Sequence, residues 1–156
     1  TYALPESQLD RFLMRISLGY PDRAAERALL AGGDRRALLE GMLPLLSGED
    51  LLALQDAVLA VHTSEPLLDY VLDLIAATRS GRWFVQGLSP RAGIALVRAA
   101  KAQALIQGRD YVAPDDVQAV LPQTIAHRLV PVVPAGEAGR GAVEQVQAML
   151  EAVPLR

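Results

Sequence analysis

The chain has 156 residues and a formal net charge of −3, and 51% of its residues are hydrophobic. This length predicts one domain with a hydrophobic core, and the acidic balance argues against nucleic-acid binding, which normally needs a basic face. The lack of cysteine excludes disulfides and thiol chemistry, and no apolar run approaches the roughly 20 residues that span a bilayer. The apolar residues are mostly Leu and Ala, which is typical of helices packed closely on helices.

The amino end is predicted to form a helix followed by a strand. Pro5 suits the first turn of a helix over residues 1–13, and residues 14–18 alternate apolar and polar, as a half-buried strand does. A lone strand cannot satisfy its own backbone hydrogen bonds, and no second convincing strand lies nearby. We therefore expect a sheet-bearing part of the protein to precede this chain, which begins at Thr1 rather than Met.

The next two helices are predicted from their capping residues. Asp22 can cap a helix over residues 23–31, and Ser47 and Asp50 form a capping box for a helix over residues 48–61. The second helix has an apolar stripe that we expect to be buried: Leu51, Leu54, Val58 and Val61.

Two helices with distinct buried faces are predicted in the middle of the chain. Ser64 caps a helix that ends near Gly81, and Ser89-Pro90 opens a helix that Gly108 stops. The first has a stripe of large apolar residues: Leu67, Val71, Leu74 and Ile75. The second is slim, so neighbouring helices can approach it closely, because small residues recur along it: Ala92, Ala95, Ala99 and Ala102.

The carboxy end is predicted to hold two more helices. Pro114 opens one without a capping hydroxyl, because Ala113 precedes it, and Pro122 is expected to break or kink it. A Pro/Gly-rich connector over residues 130–141 follows, with a short extended piece at residues 129–133. The last helix carries an apolar stripe of Val143, Val146, Met149 and Leu150.

No complete catalytic centre is visible in the sequence. It contains neither a G-x-x-x-x-G-K-[ST] phosphate loop nor a G-x-S-x-G elbow. His62 and His127 lack partners at metal-ligand spacing, so we expect no metal site. Asp115 and Asp116 are interpreted as first-turn acids favoured by the helix dipole.

Two arginines are candidates for binding an anion. Arg91 lies in the first turn of its helix, where a cation costs about 0.3–1 kcal/mol and where an anion is normally favoured. The alternative interpretation of Arg91 is an exposed side chain whose charge is screened by solvent. Arg11 lies where the first helix meets the predicted strand, and its alternative is a salt bridge to Glu6, to Asp10 or to the missing part.

Several strings, in order along nearly the whole chain, resemble MoxR-type AAA+ proteins. Residues 4–16 and 19–21 are similar to the end of the ATPase core in that family, and later strings are similar to its lid. The strings include Asp10-Arg11-Phe12, residues 68–71, Thr78-Arg79, Ser89-Pro90-Arg91-Ala92, residues 108–117 and His127-Arg128-Leu129. Each string alone is weak, and their order makes the resemblance strong.

The resemblance implies a mainly helical fold. Residues 1–21 would be the tail of an α/β core, and residues 22–153 a helical-bundle lid with a carboxy-terminal extension. Arg11 matches the family's arginine finger, which reaches a γ-phosphate held by a neighbouring subunit, and Arg91 matches the sensor-2 residue.

The resemblance also implies cofactors and partners for the full-length protein: ATP with Mg²⁺, a ring expected to be a hexamer, a partner with a von Willebrand A domain, and a cytoplasmic location without membrane insertion. The chain alone is expected to be inactive, because the Walker motifs would lie upstream. An alternative from another class is a non-catalytic helical protein-interaction module. DNA binding through a helix-turn-helix near residues 100–128 is disfavoured by the acidity.

Overall fold

The computed structural model describes residues 5–32, 39–132 and 141–155. Regular secondary structure in these ranges is helical, which confirms the mainly α prediction. The helices are α1 (Glu6–Leu9), α2 (Arg23–Leu30), α3 (Gly48–Ala60), α4 (Glu65–Arg79), α5 (Pro90–Ile106), α6 (Pro114–Ile125), a 3-10 turn (Ala126–Arg128) and α7 (Ala142–Ala152). Among the helices described, none is both long enough and apolar enough to cross a membrane. The chain divides into two compact units, Ile16–Leu54 and Thr1–Arg15 with Gln55–Arg156.

The predicted caps of α2 and α3 are confirmed. The Asp22 side chain accepts a hydrogen bond from the Ala25 amide at 2.7 Å. The Ser47 amide donates to the Asp50 carboxylate at 2.8 Å, and the Asp50 amide donates to the Ser47 hydroxyl at 3.0 Å. Each bond satisfies a backbone donor that the first turn of a helix would otherwise leave unpaired.

The predicted burial of the α3 stripe is wrong for most of its residues. Val61, just beyond the helix, is buried, but Leu51 and Leu54 are 51% and 44% exposed, and no residue within α3 is buried. Helical periodicity shows which face can be buried, but burial also needs an element packed against that face.

The core of the larger unit is built from α4, α5, α6 and α7. The predicted α4 stripe is buried throughout. The buried residues of α7 are Val146 and Met149. Helix α5 packs most extensively against α6, as expected of a slim helix. Its buried residues are mostly small: Ala92, Gly93, Ala95, Leu96, Ala99, Ala100 and Ala104. Two residues of the predicted stripes are not fully buried: Val143, near the start of α7, is exposed, and Ala102 in α5 is only partly buried.

The amino end differs from the predicted helix and strand. Helix α1 covers only Glu6–Leu9 and is followed by turns, and residues 14–18 form no β-ladder with any described residue. Ile16 and Leu18 are 68% and 93% exposed, so the half-buried strand prediction is wrong for this chain. Alternation makes a segment suitable for a sheet, but a strand forms only where a second strand is paired with it.

Pro122 does not break its helix, so of the predicted break or kink the break is wrong. Helix α6 continues through Pro122 to Ile125, and the 3-10 turn follows directly. The loss of one backbone donor is offset by the burial of nearby side chains on one face, since Leu121 and Thr124 are fully buried. The predicted extended piece is confirmed over residues 129–132, since the Val85 amide donates to the Val130 carbonyl at 2.9 Å and the Val132 amide donates to the Trp83 carbonyl at 3.0 Å; residue 133 lies outside the described residues.

Candidate functional site

Arg91 lies in the first turn of α5, as the sequence predicts. The Ser89 hydroxyl caps this helix by accepting from the Ala92 amide at 3.2 Å. The Arg91 side chain is exposed and has no hydrogen bond or ion pair with any described residue, and the first turn of α5 contains no acid. No acid within the first turn of α5 compensates the charge of Arg91, and the Asp10 carboxylate at this helix end is bound to the Ser89 hydroxyl at 3.1 Å.

Few backbone donors are free to bind an anion at this helix end. Pro90 has no N–H, and the Ala92 and Gly93 amides donate to the Ser89 carbonyl at 3.0 and 3.3 Å. Of the first four residues of α5, only Arg91 keeps an amide without a partner in the described residues. An anion at this end of α5 would therefore depend mainly on the guanidinium.

The loop before α5 is held by two residues at the end of α4. The Leu88 amide donates to the buried Thr78 hydroxyl at 3.1 Å, and the Leu88 carbonyl accepts from Arg79 Nε and Nη2 at 3.0 and 2.8 Å. Both backbone groups of Leu88 are thus bound one residue before the cap Ser89. This fixes where the chain enters α5, and hence where Arg91 emerges.

Replacing Gly87 with alanine is expected to destabilise the fold by about 1–3 kcal/mol, the usual cost of overpacking. A Cβ at Gly87 would lie against the Arg79 side chain and 2.8 Å from the Arg79 Cα, which is backbone and cannot move aside cheaply. Urea denaturation measures the loss. Gly48→Ala is the matched control, because a Cβ there meets nothing within 4 Å. Equal stability of both variants would contradict the close approach.

Arg11 lies in a segment that is bound to the start of α5 and the end of α6. The Asp10 carboxylate accepts from Arg128 Nη1 at 3.0 Å and from the Ser89 hydroxyl at 3.1 Å. Arg128 Nη2 also donates to the Phe12 carbonyl at 2.6 Å. The Arg11 side chain itself is exposed and has no hydrogen bond or ion pair with any side chain that the structure describes; the side chain of Glu6, the other predicted partner, lies outside that description. Asp10, which the sequence offered as a partner for Arg11, is paired with Arg128 instead.

The two histidines do not form a metal site. His62 is exposed and His127 lies beside Phe12 and Arg128, with its Nε2 3.3 Å from the Phe12 carbonyl and from Arg128 Nε. Burial lowers the pKa of His127, and the charge of Arg128 lowers it further. The part of the chain that the structure describes contains no group of three or more metal-ligating side chains.

Asp116 has a more specific role than a first-turn acid. It is 3% exposed and accepts from Arg109 Nη1 and Nη2, both at 2.6 Å. It also accepts from the Ala113 amide at 2.8 Å, so it supplies part of the cap that Ala113 cannot. The hydrogen bonds from Arg109 hold the pKa of Asp116 below its usual value.

The arrangement can bind anionic groups through two guanidinium groups, each on a fixed backbone. The structure brings Asp10, the neighbour of Arg11, to within 3.1 Å of Ser89, two residues before Arg91. The residues that make this connection, Asp10 and Arg128, were not predicted as site residues. Their only sequence signal was their presence in strings shared with a known family.

Comparisons with known proteins agree with the helical architecture. Residues 76–151 match the family described as AAA lid domain. The chain is 38% identical over 143 residues to Chaperone MoxR1 of Mycobacterium tuberculosis, covering 83% of this chain and 36% of that protein. It is 36% identical to Protein MoxR of Paracoccus denitrificans, covering 97% of this chain and 50% of that protein. The chain thus spans about a third to a half of the length of these relatives.

A solved structure shows the same similarity in three dimensions. The crystal structure of a "putative ATPase" from Cytophaga hutchinsonii superposes with a TM-score of 0.82 at 31% sequence identity. The match covers 99% of this chain and 50% of that one.

Proposed function

The chain belongs to the MoxR-type AAA+ ATPase family, where it corresponds to the carboxy-terminal lid region, and from this premise we propose that it supplies two arginines to ATP hydrolysis. Arg11 acts as an arginine finger toward a neighbouring subunit, and Arg91 acts as the sensor-2 residue. The observation that carries the proposal is that both guanidinium groups are exposed and unpaired with described side chains, while neighbouring residues of each are held by buried or part-buried hydrogen bonds.

The electrostatics of α5 support the role of Arg91. A cation at the amino end of a helix opposes the helix dipole, and no acid in the first turn of α5 offsets it. A phosphate bound there would remove this conflict and gain charge-assisted hydrogen bonds from the guanidinium. The site therefore fits an anionic ligand better than it fits solvent.

The chemistry of phosphoryl transfer supports the role of Arg11. In that reaction negative charge spreads over the phosphoryl oxygens in the transition state, and a positioned guanidinium stabilises it. Arg suits this task because its planar fork presents several donors in a fixed geometry and it stays charged at all physiological pH values. Arg11 has its guanidinium free of described partners, as such a group needs before the nucleotide is bound.

The rest of the machinery is proposed to lie in other parts of a longer protein. The sequence has no phosphate loop, and the described residues have no cluster suited to Mg²⁺, so the groups that hold ATP and Mg²⁺ would be supplied elsewhere. This chain alone would then be inactive. Assembly into a ring, expected to be a hexamer, a chaperone-like role with a von Willebrand A domain partner, and a cytoplasmic location belong to the same proposal.

The test of the sensor role is Arg91→Ala in the full-length protein. Loss of a charge-assisted contact to phosphate is expected to weaken ATP binding by about tenfold or more, measured by calorimetry. Arg98→Ala is the matched control, because Arg98 is an exposed arginine two turns further along α5. Unchanged ATP affinity together with unchanged turnover in Arg91→Ala would refute the sensor role.

A further inference from the structure

We propose that Asp10 is a positioning residue that connects α5, which carries Arg91, to the segment that carries Arg11. The inference rests on the proposed function, because it gives Asp10 a task only if Arg11 contacts a nucleotide. Asp10 is joined to Arg128 at 3.0 Å and to the Ser89 hydroxyl at 3.1 Å. The three residues lie far apart in the sequence, so the connection exists only in the folded chain.

Arg128 contacts the residues on both sides of Arg11, the side chain of one and the backbone of the other. Its Nη1 donates to the Asp10 carboxylate, and its Nη2 donates to the Phe12 carbonyl at 2.6 Å. The Arg128 side chain is only 4% exposed, whereas Arg11 between these two contacts is exposed. One buried guanidinium thus fixes the residues before and after Arg11 and leaves the Arg11 side chain free to reach outward. Such support is what a group needs in order to act at a defined position.

Among the described residues, Asp10 is the one whose negatively charged side chain compensates the charge of Arg128. A buried guanidinium is tolerated when a carboxylate compensates its charge, and it is costly when that carboxylate is removed. The position of Asp10 is therefore set by Arg128, and the pair cannot easily separate. Any displacement of the end of α6, which leads directly into Arg128, would be passed on to Asp10.

Ser89 links the same carboxylate to α5. Its hydroxyl donates to Asp10 and accepts from the Ala92 amide, so one oxygen both caps the helix and contacts the segment of Arg11. Phosphate binding at Arg91, two residues further along the chain, would displace the amino end of α5. The link through Ser89 and Asp10 would then adjust Arg11, so that the finger is positioned when α5 has bound nucleotide.

The experiment measures steady-state ATP hydrolysis and ATP affinity in the full-length protein carrying Asp10→Asn, Arg11→Ala or both. We expect Asp10→Asn to lower kcat by about tenfold, because a charged hydrogen bond is lost, while ATP affinity changes by less than about twofold. In the Arg11→Ala background, Asp10→Asn should change kcat by less than about twofold, because its effect passes through Arg11. A merely structural role would make the two losses additive and would overturn the proposal.

A second variant keeps the proposal testable if Asp10→Asn prevents folding. Ser89→Gly removes the hydroxyl bond to Asp10 but keeps an accepted capping residue, and it should lower kcat several-fold. Ser64→Gly is the matched control, since Ser64 caps α4 without a side-chain hydrogen bond, and it should leave kcat unchanged. If Arg11→Ala lowers turnover but Asp10→Asn and Ser89→Gly do not, only the positioning role is wrong. If Arg11→Ala has no effect, the finger and its positioning are both wrong.

Discussion

Arg11→Ala in the full-length protein is expected to lower ATP turnover by about two orders of magnitude or more, since arginine fingers contribute on the order of 10³–10⁵ in rate. Removal of the guanidinium takes away charge stabilisation that acts in the transition state, so ATP binding should be little affected. The Arg11 side chain is exposed, and its backbone hydrogen bond to Gln8 is preserved in the variant, so the substitution should leave the fold intact. Turnover under assembling conditions, compared with ATP affinity and particle size, measures the effect.

Arg15→Ala is the matched control for this result. Arg15 is an exposed arginine in the same segment, and its contact with Gln123 is made by its backbone amide at 2.8 Å, which the substitution preserves. The ATP turnover of the Arg15→Ala protein should stay near that of the unmodified protein. If Arg11→Ala also retains full turnover, Arg11 is a structural residue, and the interaction-module alternative becomes the better account of this chain.

The order and bounds of most helices could be predicted because their signals are local. The capping box at Ser47 and Asp50 and the Ser89-Pro90 start are each contained within four residues, and both are present in the structure. The α4 stripe was predicted for a similar reason, since helical periodicity fixes which residues share a face. Such features depend on neighbours along the chain and not on the rest of the fold.

Features that depend on distant partners were predicted poorly. The strand at residues 14–18 and the buried α3 stripe each required a second element, and local pattern cannot show whether one is present. The ion pair of Asp10 and Arg128 joins residues 118 positions apart, so no spacing rule indicates it. The candidate site was predicted at Arg11 and Arg91 from a resemblance, while the residues that fix their backbones emerged only from the fold.

Asp116→Asn is expected to destabilise the chain by about 1.5–3 kcal/mol at neutral pH, the usual contribution of a hydrogen bond to a charged group, because Asp116 is buried while Arg109 is 28% exposed. The substitution removes the charge that two guanidinium hydrogen bonds compensate, and it weakens the acceptor for the Ala113 amide. Urea denaturation measures the loss. Asp115→Asn is the matched control, because this neighbouring acid has no ion pair within the described structure and should cost far less.

The pH dependence of the stability difference between the unmodified chain and Asp116→Asn tests whether the ion pair with Arg109 causes it. Arg109 lowers the pKa of Asp116 in the folded state below its ordinary value of 3.8, so the unfolded chain binds the proton more readily. The stabilisation is therefore fully present above pH 3.8 and is lost as the pH falls through the folded-state pKa. The stability gap between the unmodified chain and Asp116→Asn should narrow over that acidic range. A gap that stays constant would assign the loss to packing, because only the ionised carboxylate attracts Arg109.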